Sequence, residues 1–196
     1  KSYSTFGGNP YFVDLKVLHN KGLITDEEIS DAVQNTPYSC EFNRLNNERV
    51  NLLINASARA DDGYKKQIND FIDSNKHLSD FCKFMALKKA NDDAEWTEWT
   101  VTDFNKEVEF GWRFIQYEFF TQWQEIKAYA NSKNVKIIGD IPIYVSLDSA
   151  DVYGSPESFL LDKDLKPTSV AGVPPDDFSR EGQLWGNPLY DWDKRR

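Results

Sequence analysis

Residues 135–145, Val-Lys-Ile-Ile-Gly-Asp-Ile-Pro-Ile-Tyr-Val, form an apolar, β-branched run interrupted by one acid and one proline. A run of this kind reads as a strand buried on both faces of a parallel sheet. Pro142 has no N–H to give to a ladder, so the regular strand is expected to end at about Asp140. Immediately upstream, from about Asn105 to Asn131, Phe110, Phe114, Tyr117, Phe120, Trp123, Ile126 and Ala130 fall on one face of a long helix. Parallel strands are joined by crossover connections, usually helical, so helix, short Asn131–Asn134 turn and strand make the αβ half of a βαβ unit. The fold class that follows is α/β.

The rest of the chain reads around that unit. Residues 14–22 form a short helix ending at Gly22, which readily takes the left-handed position after a C-cap. Thr25 and Glu28 have capping-box spacing, and the helix they open should stop before Thr36-Pro37. Val50, Leu53, Ile54 and Ala58 recur at helical spacing between Asn46 and Ala60. Two more helices are expected, from Tyr64 to Asp73 and over the Leu78–Ala90 stripe, followed by a loop from Asp92 to Asp103. Gly111, inside the long helix, lowers helix stability by roughly 1 kcal/mol relative to Ala, which points to a close packing contact there. The aromatic stripe of that helix reads as core before it reads as a ligand surface. After Val145 the chain is punctuated by Pro156, Pro167, Pro174, Pro175 and Pro188 with Gly154, Gly172, Gly182 and Gly186, and long loop-dominated stretches are often functional.

Composition removes several classes of function. The net charge is −9, and no basic face is available to track phosphates, so nucleic acid is not an expected partner. The acids between Asp92 and Glu109 read as a solvated face. Two histidines and two distant cysteines cannot build a His-rich metal centre and fit a reducing compartment better than a disulfide framework. No 18-residue apolar stretch exists, so no segment is read as crossing a bilayer. The opening Lys1-Ser2-Tyr3-Ser4-Thr5 carries neither an initiator Met nor the apolar run of a signal peptide.

Two features could carry chemistry. Asp140 is an acid inside an apolar strand, and it must be hydrogen-bonded, paired or placed at a polar strand end. In a (β/α)8 barrel those ends hold the active site, while a carboxylate capping the following loop is the plainer alternative. The second feature runs from Val173 to Tyr190 and combines Phe178, Trp185 and Tyr190 with Asp176, Gln183 and Asn187. Flat rings against C–H faces, with amides and carboxylates for hydroxyls, suit a sugar. A loop pinned down by buried aromatics has the same composition.

Gly139-Asp140-Ile141-Pro142-Ile143-Tyr144-Val145 with Asp148-Ser149-Ala150-Asp151-Val152 resembles the amylomaltase (4-alpha-glucanotransferase) family. So do Val170-Ala171-Gly172-Val173-Pro174-Pro175-Asp176 and Gly182-Gln183-Leu184-Trp185-Gly186-Asn187-Pro188-Leu189-Tyr190. The segments Gln116–Phe120 and Ser2–Tyr11 are similar to the family as well, and the likeness is weakest from about Thr36 to Lys76. The resemblance implies a portion of a (β/α)8 TIM barrel: residues 1–104 as a mainly helical insertion, residues 105–196 as barrel helix, strand and substrate loop. It implies a cytoplasmic enzyme without metal or organic cofactor that moves α-1,4-glucan segments between maltooligosaccharides, starch or glycogen.

Such retaining transfer uses one carboxylate as nucleophile and another as acid/base. In the family the nucleophile lies in an Arg-x-Asp motif. The single Arg-x-Asp here, Arg59-Ala60-Asp61, ends a helix and is rejected. The chain is therefore expected to be an internal piece, inactive alone. Asp140 matches a supporting acid beside the donor sugar, and Asp176, Phe178, Gln183 and Trp185 match the glucan-contacting loop. Tyr153 stands where many members have Trp, and Asp177 where many have Tyr. A non-catalytic α-glucan-binding module and another α-glucan-active barrel hydrolase are the alternatives.

Overall fold

The computed structural model describes residues 3–140 and 142–194, apart from the side chain of Asn47. Readings that involve Lys1, Ser2, Ile141, Arg195 and Arg196 lie outside the described residues. Seven α-helices occur among them: α1 Leu15–Asn20, α2 Asp26–Asp31, α3 Phe42–Ser57, α4 Asp62–Asp73, α5 Lys76–Ala90, α6 Lys106–Ser132 and α7 Ala150–Gly154. One antiparallel hairpin follows, β1 Val170–Val173 and β2 Gln183–Pro188.

Local chemistry explains most helix ends. The Asp14 side chain accepts from Lys16 N at the start of α1. At its end Gly22, with φ +73°, lets Leu23 N reach Leu18 O and its own N reach His19 O, a Schellman closure. The Thr25–Glu28 capping box is complete, each side chain meeting the other residue's backbone N–H. Asp61 and Asn105 cap α4 and α6 more simply, each side chain accepting from one backbone N–H, of Tyr64 and Glu107 respectively. Helix α3 starts at Phe42, four residues before the apolar periodicity, and no side chain caps it.

Helices α3, α4 and α5 all pack on α6. Leu53, Ile68, Ile72, Phe84, Phe114 and Ile115 are fully buried between them. A Cβ on Gly111 would lie 2.7 Å from Ile54 Cγ1, so the expected close contact is present and lets α6 approach α3. The aromatic stripe is core along the first half of α6, where Phe114 is buried and Phe110, Tyr117 and Phe120 are half-buried against the same cluster. Further along, Trp123, Ile126 and Tyr129 are exposed.

The first described segment is pinned across the bundle. Gln116 Oε1 accepts from Gly8 N at 2.6 Å while its Nε2 donates to Gly8 O at 3.0 Å, and Asp14 N donates to Gln122 Oε1. Glu118, fully buried, meets Lys21 Nζ at 2.9 Å and the Tyr64 hydroxyl. Burial, helped by that carboxylate, pushes the Tyr64 phenol upward. Cys40 and Cys82 are free thiols, the first exposed and the second buried.

The strand expected at residues 135–140 is not formed. Residues 135–140 carry no regular structure, and Ile138 is 95% exposed, with Val135, Ile137 and Ile143 exposed too. A strand is defined by its ladder, and among the described residues the only sheet is the β1–β2 hairpin, which does not pair with this run.

Candidate functional site

The β1–β2 hairpin has a bulge within its first strand and a connection over residues 174–182. Its register shifts between Val170 and Gly172, and a Cβ on Gly172 would sit 2.6 Å from Gln183 O. Gly182 has φ +73° and closes the tip. Within that tip Asp176 Oδ1 accepts from Phe178 N at 3.0 Å and from Ser179 N at 2.7 Å, while Asp176 N donates to Ser179 O. Asp176 thus shapes the turn, as short carboxylate side chains do when they bond their own backbone.

That turn holds Phe178 out in solvent, 96% exposed. The pinned-loop alternative, in which Phe178 is a buried anchor, does not describe this ring. Trp185 is 46% exposed on β2, and its Nε1 donates to Gln183 Oε1 at 3.1 Å, so Gln183 sets the tilt of the indole. Tyr144 lies beside it with ring centroids 6.0 Å apart, Tyr190 stacks on Tyr144 at 6.5 Å, and Trp192 adjoins Tyr190 at 5.4 Å. Asn187 Nδ2 donates to Val145 O at 2.8 Å, fastening the hairpin to the segment that carries Tyr144. A cavity of about 290 Å³ opens beside Trp185, lined by Tyr144, Glu95, Ser146, Leu147, Asp148 and Asn187.

The structure brings Asp176, Phe178, Gln183 and Trp185 onto one hairpin. Asp140 stands apart in sequence on the 135–140 segment, which forms no strand, and it is exposed there. Asp177 is exposed at the hairpin tip. Tyr153 lies elsewhere, in an aromatic nest with Phe84, Trp96 and Trp99 at centroid distances of 5.2–5.7 Å. Tyr144 belongs to the aromatic wall but is not among the expected site residues; its place in the apolar run gives no sign of the contact with Trp185. Among the described residues no group of three or more His, Cys, Asp and Glu side chains converges as a metal site, and no helix is long and apolar enough to cross a membrane.

A sequence profile for 4-alpha-glucanotransferases matches residues 1–196. The chain belongs to that family. A 4-alpha-glucanotransferase of Clostridium butyricum is 41% identical over 98% of the chain, and one of Thermus thermophilus is 36% identical over 98%. The chain spans only 43% and 41% of those two relatives, respectively. In solved structures, the amylomaltase of Streptococcus agalactiae in complex with acarbose superimposes with a TM-score of 0.89 at 34% identity, covering 98% of this chain and 42% of that one. The amylomaltase of Corynebacterium glutamicum, at 16% identity and a TM-score of 0.70, shares the fold over 96% of this chain and 27% of its own. The chain is thus mostly helical with a small sheet, and it matches part of each relative along nearly all of its own length.

Proposed function

We propose that this chain forms part of an enzyme that transfers α-1,4-glucan segments between maltooligosaccharides, starch or glycogen by the retaining, two-carboxylate route. The observation that carries the reading is the hairpin itself. Within a glucanotransferase family it presents Phe178 at its tip and Trp185 beside Tyr144 to solvent, with Gln183 fixing the indole. Rings held in this way present flat apolar faces to a pyranose, and neighbouring amides and carboxylates fit its hydroxyls.

In this reading Asp176 shapes the loop, Phe178 and Trp185 contact glucan, and Asp140 is a supporting acid beside the donor sugar. Residues 105–196 contribute barrel elements, with residues 1–104 as a helical insertion. The exposed Trp123, Ile126, Tyr129, Ile137 and Ile138 support a (β/α)8 surround, because such an apolar face needs covering. Two free thiols favour a cytoplasmic setting.

The test uses the full-length protein with maltotriose. Glucose should appear together with longer oligosaccharides. Covering roughly 60 Å² of indole at about 25 cal/mol per Å² is worth about 1.5 kcal/mol, so Trp185→Ala should raise KM roughly tenfold. Hydrolysis without longer products would favour the barrel hydrolase, and saturable binding without turnover would favour the binding module.

A further inference from the structure

Lys88 is the least expected buried residue in the molecule. It lies in α5 at 1% exposure, and its Nζ meets Asp148 Oδ2 at 2.7 Å and Ala94 O at 2.9 Å, with the Tyr3 ring 5.1 Å away. Asp148 is nearly as deeply buried, and its second oxygen accepts from Trp96 N at 3.4 Å. One buried ion pair therefore joins α5, the 94–96 loop and the 147–148 segment. A charged pair taken out of water is weak evidence for added stability, because desolvation offsets much of its attraction. Its distinctive effect here is to fix one arrangement of three segments.

That arrangement leads to the aromatic wall. Trp96 Nε1 donates to Leu147 O at 2.7 Å, and Trp96 and Leu147 pack against the small core of Val145, Val152 and Phe159. Val145 O holds Asn187, two residues beyond Trp185 on β2. Leu147 and Asp148 also line the cavity beside Trp185. Every link is a buried or half-buried contact.

We propose that Lys88 and Asp148 are positioning residues for the glucan-facing wall of Tyr144 and Trp185. The proposal rests on the glucan-binding reading of Trp185, and it extends that reading to a pair of residues sixty positions apart that are not themselves proposed to touch sugar. The pair sets the height of the 145–148 segment and, through Asn187, the seat of β2. Separating the partners lets the wall sag away from its ligand, weakening glucan binding while the reacting groups elsewhere keep their chemistry.

The experiment compares wild type with Lys88→Met/Asp148→Asn in the full-length protein. Met retains the apolar stem, and Asn keeps an oxygen for Trp96 N. The double replacement leaves no unpaired charge and should melt close to wild type, whereas Lys88→Met alone strands the carboxylate and should melt well below it. Two readouts separate positioning from simple stabilisation. The first is maltotriose kinetics: KM should rise by about 5-fold or more in the double variant with kcat within about 2-fold, the pattern of lost ground-state binding.

The second readout is the 19F spectrum of the same protein grown with 5-fluorotryptophan, in which each of the six tryptophans of this chain contributes a resonance. Trp96→Phe and Trp185→Phe assign two of them, and the Trp185 line should shift or broaden in the double variant. Trp96→Phe, which removes the bond to Leu147 O and trims the ring packed on Val145, Val152 and Phe159, should move that line in the same sense. A double variant with wild-type KM and an unchanged Trp185 line overturns the proposal. Should the double variant not fold, an unchanged Trp185 line in Trp96→Phe overturns it instead. Absence of glucan transfer by wild type would instead defeat the functional reading, and the 19F line would still decide the positioning role.

Discussion

Gly111→Ala sets two effects of known sign against each other. In an exposed helix the change would stabilise α6 by about 1 kcal/mol, because Ala loses less backbone entropy. Here the new Cβ would meet Ile54 Cγ1 at 2.7 Å, Cγ2 at 3.0 Å and Cβ at 3.1 Å. Carbon atoms rest at about 3.5–4.0 Å, so the overlap is roughly 1 Å. A rotamer change cannot clear it, since Ile54 is β-branched, stiff at χ1 in a helix, and its own Cβ is one of the three clashing atoms. The two helices must move apart, and overpacking of this kind costs about 1–3 kcal/mol. The net expectation is destabilisation by up to about 2 kcal/mol, which lowers the melting temperature by up to roughly 8 °C for a chain of this size. Thermal unfolding followed by far-ultraviolet circular dichroism would measure it. In an Ile54→Ala background both γ-carbon clashes are gone and only the 3.1 Å Cβ contact remains, so the same change should lower the melting temperature far less. A rise in the wild-type background, or the same shift in both backgrounds, would refute the claim that α3 and α6 meet at this glycine.

Three further predictions concern other parts of the molecule. The Glu28 carboxyl is held near 2, from an ordinary 4.5, chiefly by its bond from Arg59 and by the Thr25 N–H. A depressed carboxylate adds stability that is complete above about pH 4.5 and is lost as pH falls toward 2, so Glu28→Gln should flatten that acid limb in urea titrations run across pH. Gln116→Leu leaves the buried Gly8 N–H and C=O unpaired; at about 1–3 kcal/mol for each orphaned group, urea unfolding should show a loss of roughly 2–6 kcal/mol. Burial pushes the Cys82 thiol up while Cys40 is exposed, so a thiol reagent should titrate one cysteine promptly in the native chain and the second only on unfolding.

The parts of this fold that the sequence announces are those whose causes are local. Thr25 with Glu28, Asp61 with Tyr64 and Asn105 with Glu107 are contacts within three residues, so each helix start is visible in a short window. Helix α3 begins at Phe42 with no capping side chain, and nothing local marks the place. The hairpin tip is legible for the same reason as the caps, since Pro174, Pro175 and Gly182 dictate its backbone and Asp176 bonds its own turn. What makes the hairpin a wall, however, is the Tyr144–Trp185 contact and the Asn187–Val145 bond, each spanning some forty residues. The polar core hides in the same way. Gln116 is 108 residues from Gly8, and Lys88 is sixty from Asp148.

Residues 135–140 are the sharpest case. Their β-branched composition states a preference for a pleated, buried surface, yet a ladder needs a second segment to receive its N–H and C=O groups. Strand-like residues without a ladder leave Ile138 in solvent, beside a helix whose last turns expose Ile126 and Tyr129. Both surfaces are apolar and belong to consecutive elements, so one neighbouring layer could cover them together. An apolar residue in this chain therefore reports what its segment is built to pack against, and only a partner decides whether that packing occurs.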